Sequence, residues 1–169
     1  MNMHMPQDLM SEIELKTIAN VSNQIVSPAQ NNTIVGIFQD SLLGIYNFTK
    51  NNLKITKQQT MNLLANVPVL DVNLLLGQFK KHKNGLAGQH VLSHILGNVS
   101  LKYKTAQFKD NEDFSKSKNV LEINNGEFVR GFMDKKILGS ASSGIIHRIC
   151  NDSGNEHAAN FIDNLQNIV

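Results

Sequence analysis

The stretch Ser27–Thr49, SPAQNNTIVGIFQDSLLGIYNFT, is where the organisation of the chain is most legible. Pro28 fixes its own φ, and Gln30, Asn31 and Asn32 supply the polar chemistry of a turn. Thr33, Ile34 and Val35 are β-branched and predict a short strand. Gly36 permits a close backbone approach. Gln39-Asp40-Ser41 then opens a helix whose apolar residues are Leu42, Leu43, Ile45 and Tyr46. Asp40 at that start suits the positive end of the helix dipole. Residues 27–50 therefore read as a strand–turn–helix unit, a unit that by itself is structural.

Upstream, Asp8 and Ser11 are alternative N-caps, Ser11 having capping-box spacing to Glu14, and a helix is expected from about Leu9 to Ala19. Downstream, Asn51-Asn52 breaks the chain, and Thr56 with Gln59 starts a helix carrying Met61, Leu63 and Leu64 that stops near Pro68. Val69–Gly77 is apolar and short, compatible with either state. Lys80, Lys81, His82 and Lys83 form a basic loop closed by Gly85, before a helical pattern over Gly88–Leu96. Val99–Tyr103 alternates as a strand does, and Gln107–Asn119 is a polar loop. Val120–Met133 is a hairpin centred on Asn125-Gly126, the preferred type I′ pair. Gly139–Gly144 is a small-residue turn, followed by Ile145-Ile146 and His147. From Ser153, in capping-box spacing with Glu156, an amphipathic helix runs through residues 153–169 with Ala158, Phe161, Ile162, Leu165 and Ile168 on one side. The expected class is α+β, with short helices packed on small antiparallel strands and a β-hairpin.

Composition bounds the function. A chain of 169 residues is expected to form one domain, 1–169, burying about two-thirds of its unfolded surface. No apolar run approaches the ~20 residues that span a bilayer, and the start of the chain has neither the basic leader nor the apolar core of a secretory signal. The single cysteine, Cys150, excludes an internal disulfide and reads as a core thiol in a reducing compartment. A formal charge of +2 is too mild to diagnose nucleic-acid binding.

Few local patterns carry chemistry. His90 and His94 lie one helical turn apart and could share a metal, yet no Glu follows His90 as in H-E-x-x-H and no third ligand is evident. Gly139–Gly144 lacks the Lys and Ser/Thr of a phosphate loop, since Ile145 stands there. Ser142 and Ser143 are not in G-x-S-x-G. By spacing alone His4 and Gln7 belong to a flexible terminus, Gln39 and Asp40 cap their helix, and Lys135-Lys136 is a solvated turn.

Three ordered segments say more. Met1-Asn-Met-His4-Met-Pro-Gln7, then Gly36-Ile-Phe-Gln39-Asp40-x-Leu-x-Gly44-Ile45, then Asn125-Gly126-Glu127 through Gly131, Lys135-Lys136 and Gly139 resemble the largest subunit of multisubunit DNA-directed RNA polymerases, in the segment just after its active-site aspartates. The resemblance is strong over 1–49 and 120–169 and weak over 51–119. It is nearer the eukaryotic and large-DNA-virus type than the bacterial one. It departs where Asn32, Thr33 and Ile34 replace a basic residue and proline, and where Val67-Pro68-Val69-Leu70 replaces a tryptophan-containing stretch, which suggests a divergent, viral lineage.

The resemblance implies the pore domain of that subunit. His4 and Gln7 would lie near the active centre, and Gln39, Asp40, Lys135 and Lys136 would line the channel through which nucleotides enter and backtracked RNA leaves. It implies nucleotidyl transfer with Mg²⁺ in the complete polymerase, on aspartates that would precede Met1. No catalytic or metal-ligating residue is thus expected in this chain, which alone would be inactive. Implied partners are the rest of the largest subunit, the second-largest and smaller subunits, template DNA, RNA transcript and NTPs. The implied setting is intracellular: the nucleus, or host cytoplasm and virion for a virus. The competing expectation is a free-standing, weakly basic nucleic-acid-binding module using Lys80, Lys81, Lys83, Lys102 and Lys104; a small metal hydrolase around His90 and His94 ranks last.

Overall fold

In the computed structural model, which describes residues 2–50, 53–68 and 70–169, short helices alternate with three small antiparallel sheets. Met1, the expected break at Asn51-Asn52, and Val69 lie outside the described residues. Asp8 caps α1 (Leu9–Thr17): its carboxylate accepts from the Ser11 amide at 2.7 Å, so Ser11 lies in the first turn instead of opening a box with Glu14. A 3-10 turn, Val21–Gln24, leads into β1 (Val26–Ser27), which pairs with β2 (Asn32–Thr33) across a turn holding Asn31 at φ 49°.

The strand expected over Thr33–Val35 therefore ends at Thr33. Beyond it the Ile34 amide still donates to the Ile25 carbonyl at 2.8 Å, but the next groups find partners in a distant segment: the Ser140 hydroxyl donates to the Ile34 carbonyl at 3.3 Å, and the Ile37 amide to the Leu138 carbonyl at 2.9 Å. With those groups satisfied, the β-branched run has no need of a longer ladder. Gly36 makes the close approach, since a Cβ there would stand 2.7 Å from the Ser140 nitrogen. α2 (Gln39–Thr49) follows, turning Ile45 and Thr49 inward.

The Thr56–Gln59 capping box forms with both its halves and opens α3 (Lys57–Leu64). β3 (Lys54–Ile55) pairs with β4 (Leu86–Ala87) around α4 (Val72–Lys81). The ambiguous Val69–Gly77 is thus helical from Val72, capped by Asp71, and Lys80 and Lys81 end that helix instead of forming a loop. α5 is short, Gly88–Leu92. The main sheet orders β5 (Leu101–Lys104), β6 (Val120–Asn124) and β7 (Glu127–Arg130). Asn125 and Gly126, at φ 47° and 80°, close its hairpin with the two positive φ values that a type I′ turn requires.

After the hairpin come α6 (Lys135–Leu138), α7 (Ile145–Ser153) and α8 (Asn155–Ile168). Ser153 closes α7 instead of capping α8. The break between these two helices is the single residue Gly154, whose φ of 93° suits a residue without a side chain. The core gathers Val91 and Leu92 of α5, Leu121 and Ile123 of β6, Ile145, Ile146 and Ile149 of α7, and Ala158, Phe161 and Leu165 of α8. Cys150 is buried there, and burial pushes its thiol pKa up. With eight α-helices among the described residues and only small antiparallel sheets, the class is α+β.

Candidate functional site

Two segments far apart in sequence make the site. Residues 131–141, leaving the hairpin, run beside α2 from its last turn back to its first. At the far end, the Met133 amide donates to the Thr49 hydroxyl at 3.2 Å. There the Gln89 side-chain amide also donates to the carbonyls of Thr49 and Gly131, at 3.0 and 2.8 Å. The Tyr46 and Phe132 rings meet edge to face at 5.4 Å. At the near end the Ile37 amide reaches the Leu138 carbonyl, and the Ala141 amide reaches the Thr33 hydroxyl at 3.2 Å.

Between these anchors lies an open hollow of about 260 Å³ lined by Gln39, Leu42, Leu43, Tyr46, Asp134 and Lys135. The structure thus brings Gln39 and Lys135 together. Asp40, also exposed, is on the same first turn of α2. Lys136 diverges: its ammonium sits 5.3 Å from the centre of the Tyr103 ring, and the Tyr103 hydroxyl hydrogen-bonds Ser143 at 2.9 Å. His4 and Gln7 are exposed near the start of the chain, and neither lines the hollow; the Gln7 amide donates to the Met5 carbonyl at 3.3 Å.

Gln39 has φ 53°, in the left-handed region. A long side chain there costs on the order of 1–3 kcal/mol, and such strain persists only where the surroundings over-determine it. The bond from Ile37 to Leu138 and the packing of Gly36 on residues 139–140 supply that constraint.

Asp134, Thr49, Tyr46 and Gln89 belong to this arrangement although no motif singled them out. Asp134 caps α6 through the Ile137 amide, at 3.2 Å, and its second oxygen accepts from the Ala106 amide at 2.6 Å. An aspartate just before Lys135-Lys136 carried an N-cap signal. Thr49 and Gln89 carried none, because their partners are distant in sequence.

The remaining candidates fall elsewhere. His94 Nε2 lies 3.0 Å from the Gln78 carbonyl-type oxygen, and the His90 ring stacks on His82 at 4.6 Å. Burial holds both histidines below the ordinary value, with the His82 charge adding to the effect at His90 and Glu127 opposing it. Among the described residues no three His, Cys, Asp or Glu side chains converge as metal ligands. The lysines of the basic-module reading split into two groups. Lys81 and Lys83 border a hollow with Lys54 and His82, whereas Lys102 and Lys104 stand over the rings of Phe114 and Phe108, at 5.4 and 4.7 Å. Lys102 also pairs with Glu122 at 3.3 Å. The Arg130 hydrogen bond, at 2.6 Å, is the main cause that holds the Glu122 carboxyl below its usual range.

Residues 24–169 match the sequence profile of the family described as RNA polymerase Rpb1, domain 3. Over 170 aligned residues the chain is 32% identical to a protein named DNA-directed RNA polymerase II subunit RPB1-B, from Trypanosoma brucei brucei. That match takes in 99% of this chain and 9% of the relative, so the chain spans a small part of the length of the protein it resembles.

Proposed function

The chain belongs to the RNA polymerase Rpb1 domain 3 family, and on that premise we propose that it is part of the largest subunit of a DNA-directed RNA polymerase, serving DNA-templated transcription as a wall of the channel that leads nucleotides to the active centre. One observation carries this reading. The seam between α2 and residues 131–141 sets Gln39 and Lys135 on one exposed hollow, with Lys136 exposed next in the chain but turned towards Tyr103, inside the stretch that the family profile spans. Exposed ammonium groups attract triphosphates and RNA, both of which carry dense negative charge.

In the complete enzyme, Mg²⁺ ions would stabilise the attacking and leaving oxygens of nucleotidyl transfer. The described residues offer no three converging ligands and do not fit such a site. The ions are proposed to sit elsewhere in the enzyme, and this chain's part is to shape and charge the approach. The proposed partners are the remainder of the largest subunit, the second-largest and smaller subunits, DNA, RNA and NTPs. The proposed setting is intracellular, in the nucleus for a eukaryotic enzyme. α1 supports an assembled setting: none of its residues is buried, and Leu9, Met10 and Leu15 are exposed, an apolar surface that calls for a cover.

The test is the whole polymerase rebuilt with Lys135→Ala and Lys136→Ala. Assembly should be unchanged, because both side chains are exposed. The KM for nucleotides, or the recovery of backtracked complexes, should worsen by about twofold to threefold at low salt and converge on wild type as salt screens the field. Equal behaviour at every ionic strength would remove the channel role. The chain alone, in the same assay, is expected to incorporate no nucleotide, and template-dependent incorporation by it would overturn the wall reading.

A further inference from the structure

We propose that Thr49 and Gln89 are positioning residues for the lysine-bearing segment, acting from the C-terminal end of α2, just outside the hollow; the functional consequence rests on the channel reading above. Thr49 is buried, and its hydroxyl works in two directions. It lies 3.0 Å from the Ile45 carbonyl and 3.1 Å from that of Tyr46, to which it can donate, while its oxygen accepts the Met133 amide at 3.2 Å. Met133 is fully buried, so no water can replace that acceptor. Gln89 comes from a third element, α5. Its amide group bridges the Thr49 carbonyl, one of the orphan acceptors at a helix end, and the Gly131 carbonyl. Gly131 has φ 93° and lies so close to Val120 and Leu121 that a Cβ would meet backbone at 2.5 Å. The path out of the hairpin is thereby fixed to the sheet on one side and to α2 on the other.

From that point the segment has little freedom. Met133, Ile137 and Leu138 are in the core, and the bond from Ile37 to Leu138 closes the far end. The exposed pair Lys135 and Lys136 lies between the two anchors, on a helix of only four residues. Where Lys135, two residues beyond the Met133 bond, stands relative to Gln39 is therefore decided at Thr49, roughly 15 Å from Gln39 along α2, and at Gln89 beside it. Neither residue lines the hollow, and neither needs to touch a nucleotide to affect its approach.

The experiment uses the assembled polymerase carrying Thr49→Val, Thr49→Ser, Gln89→Ala, or the Lys135→Ala, Lys136→Ala pair. The rate of amine-reagent labelling at Lys135 and Lys136, read by mass spectrometry against Lys57 at the start of α3, which touches neither the hollow nor residues 131–141, reports position directly. Steady-state kinetics across salt report function. Thr49→Val, which keeps shape and removes the hydroxyl, should change labelling at the pair by about twofold or more and raise the nucleotide KM at low salt without lowering kcat, a split expected of a weakened approach field and not of general damage. Thr49→Ser, which keeps the hydroxyl, should restore both. Gln89→Ala should act in the same direction, and it carries the test if Thr49→Val does not assemble. Wild-type labelling and KM in both Thr49→Val and Gln89→Ala would overturn the positioning role. A wild-type KM in the lysine-pair variant, alongside altered labelling in Thr49→Val, would instead overturn the channel reading and leave the placement of the segment established.

Discussion

Gly36→Ala probes the seam on which the site depends. Gly36 is not in a left-handed conformation, so alanine meets no backbone penalty there and the effect is purely steric. Its Cβ would stand 2.7 Å from the Ser140 nitrogen, 2.9 Å from the Gly139 carbonyl carbon and 3.0 Å from Phe38 Cζ, all short of the 3.4 Å at which ordinary contact begins. The ring tip can move, but the two backbone atoms cannot without parting residues 36–37 from 138–140. Overpacking of this kind costs about 1–3 kcal/mol, and weakening the bond from Ile37 to Leu138 adds about 1 kcal/mol, giving a loss of about 2–4 kcal/mol. At an m-value near 2 kcal/mol per M, the urea midpoint of the purified chain should fall by about 1–2 M. Gly77→Ala is the internal control. That residue lies inside α4 with nothing within 4 Å of its added Cβ, so alanine should stabilise by about 0.5–1 kcal/mol. Gly36→Ala with an unchanged midpoint, beside a stabilised Gly77→Ala, would refute the close approach and with it the geometry of the hollow.

A pH prediction follows from the histidine pair. His90 and His94 titrate below the ordinary value of 6.5 because burial disfavours the imidazolium, so on acidification the unfolded chain takes up protons first and stability falls from about pH 6.5 down towards the folded values. Urea midpoints measured between pH 7.5 and 5.5 (roughly the window this linkage opens) should therefore decrease with acid, and His94→Gln should flatten the slope; a flat wild-type profile would contradict the lowering of these half-buried histidines.

Those elements whose signals are local were legible before the fold was known. The Asn125-Gly126 turn, the Thr56–Gln59 box and the helix opened by Gln39-Asp40 each rest on residues within a few positions of one another, and each forms. Where the reading failed, a distant partner had intervened. Thr33–Val35 looks like a strand on propensity alone, but past Thr33 the Ile34 carbonyl turns to Ser140 and the Thr33 hydroxyl accepts from the Ala141 amide, so the ladder stops. Ser153 and Glu156 have capping-box spacing, yet α7 absorbs Ser153 and Gly154 makes the break. The Lys135-Lys136 pair reads as a solvated turn and is instead a capped helical turn, because Asp134 supplies the cap and Ile137 and Leu138 are drawn into the core.

The same distinction explains why the site was only half visible. Gln39 and Lys135 could be suspected from the words around them, but nothing near either residue announces that they share a hollow. Their meeting requires Thr49, Gln89 and Gly131, polar or small residues on three elements whose only common feature is the seam they close. Local preference is overridden most clearly at that seam. Gln39 adopts a conformation that glycine or asparagine would hold more cheaply, and Gly36 stands where any side chain would press on backbone. A sequence that keeps glutamine at the strained position and glycine at the crowded one, three residues apart, sacrifices local ease at both to hold the start of α2 against residues 138–141. Departures from local consistency are expected where geometry is held for function. Here they fall at the turn that aims Gln39 at the lysine-bearing segment.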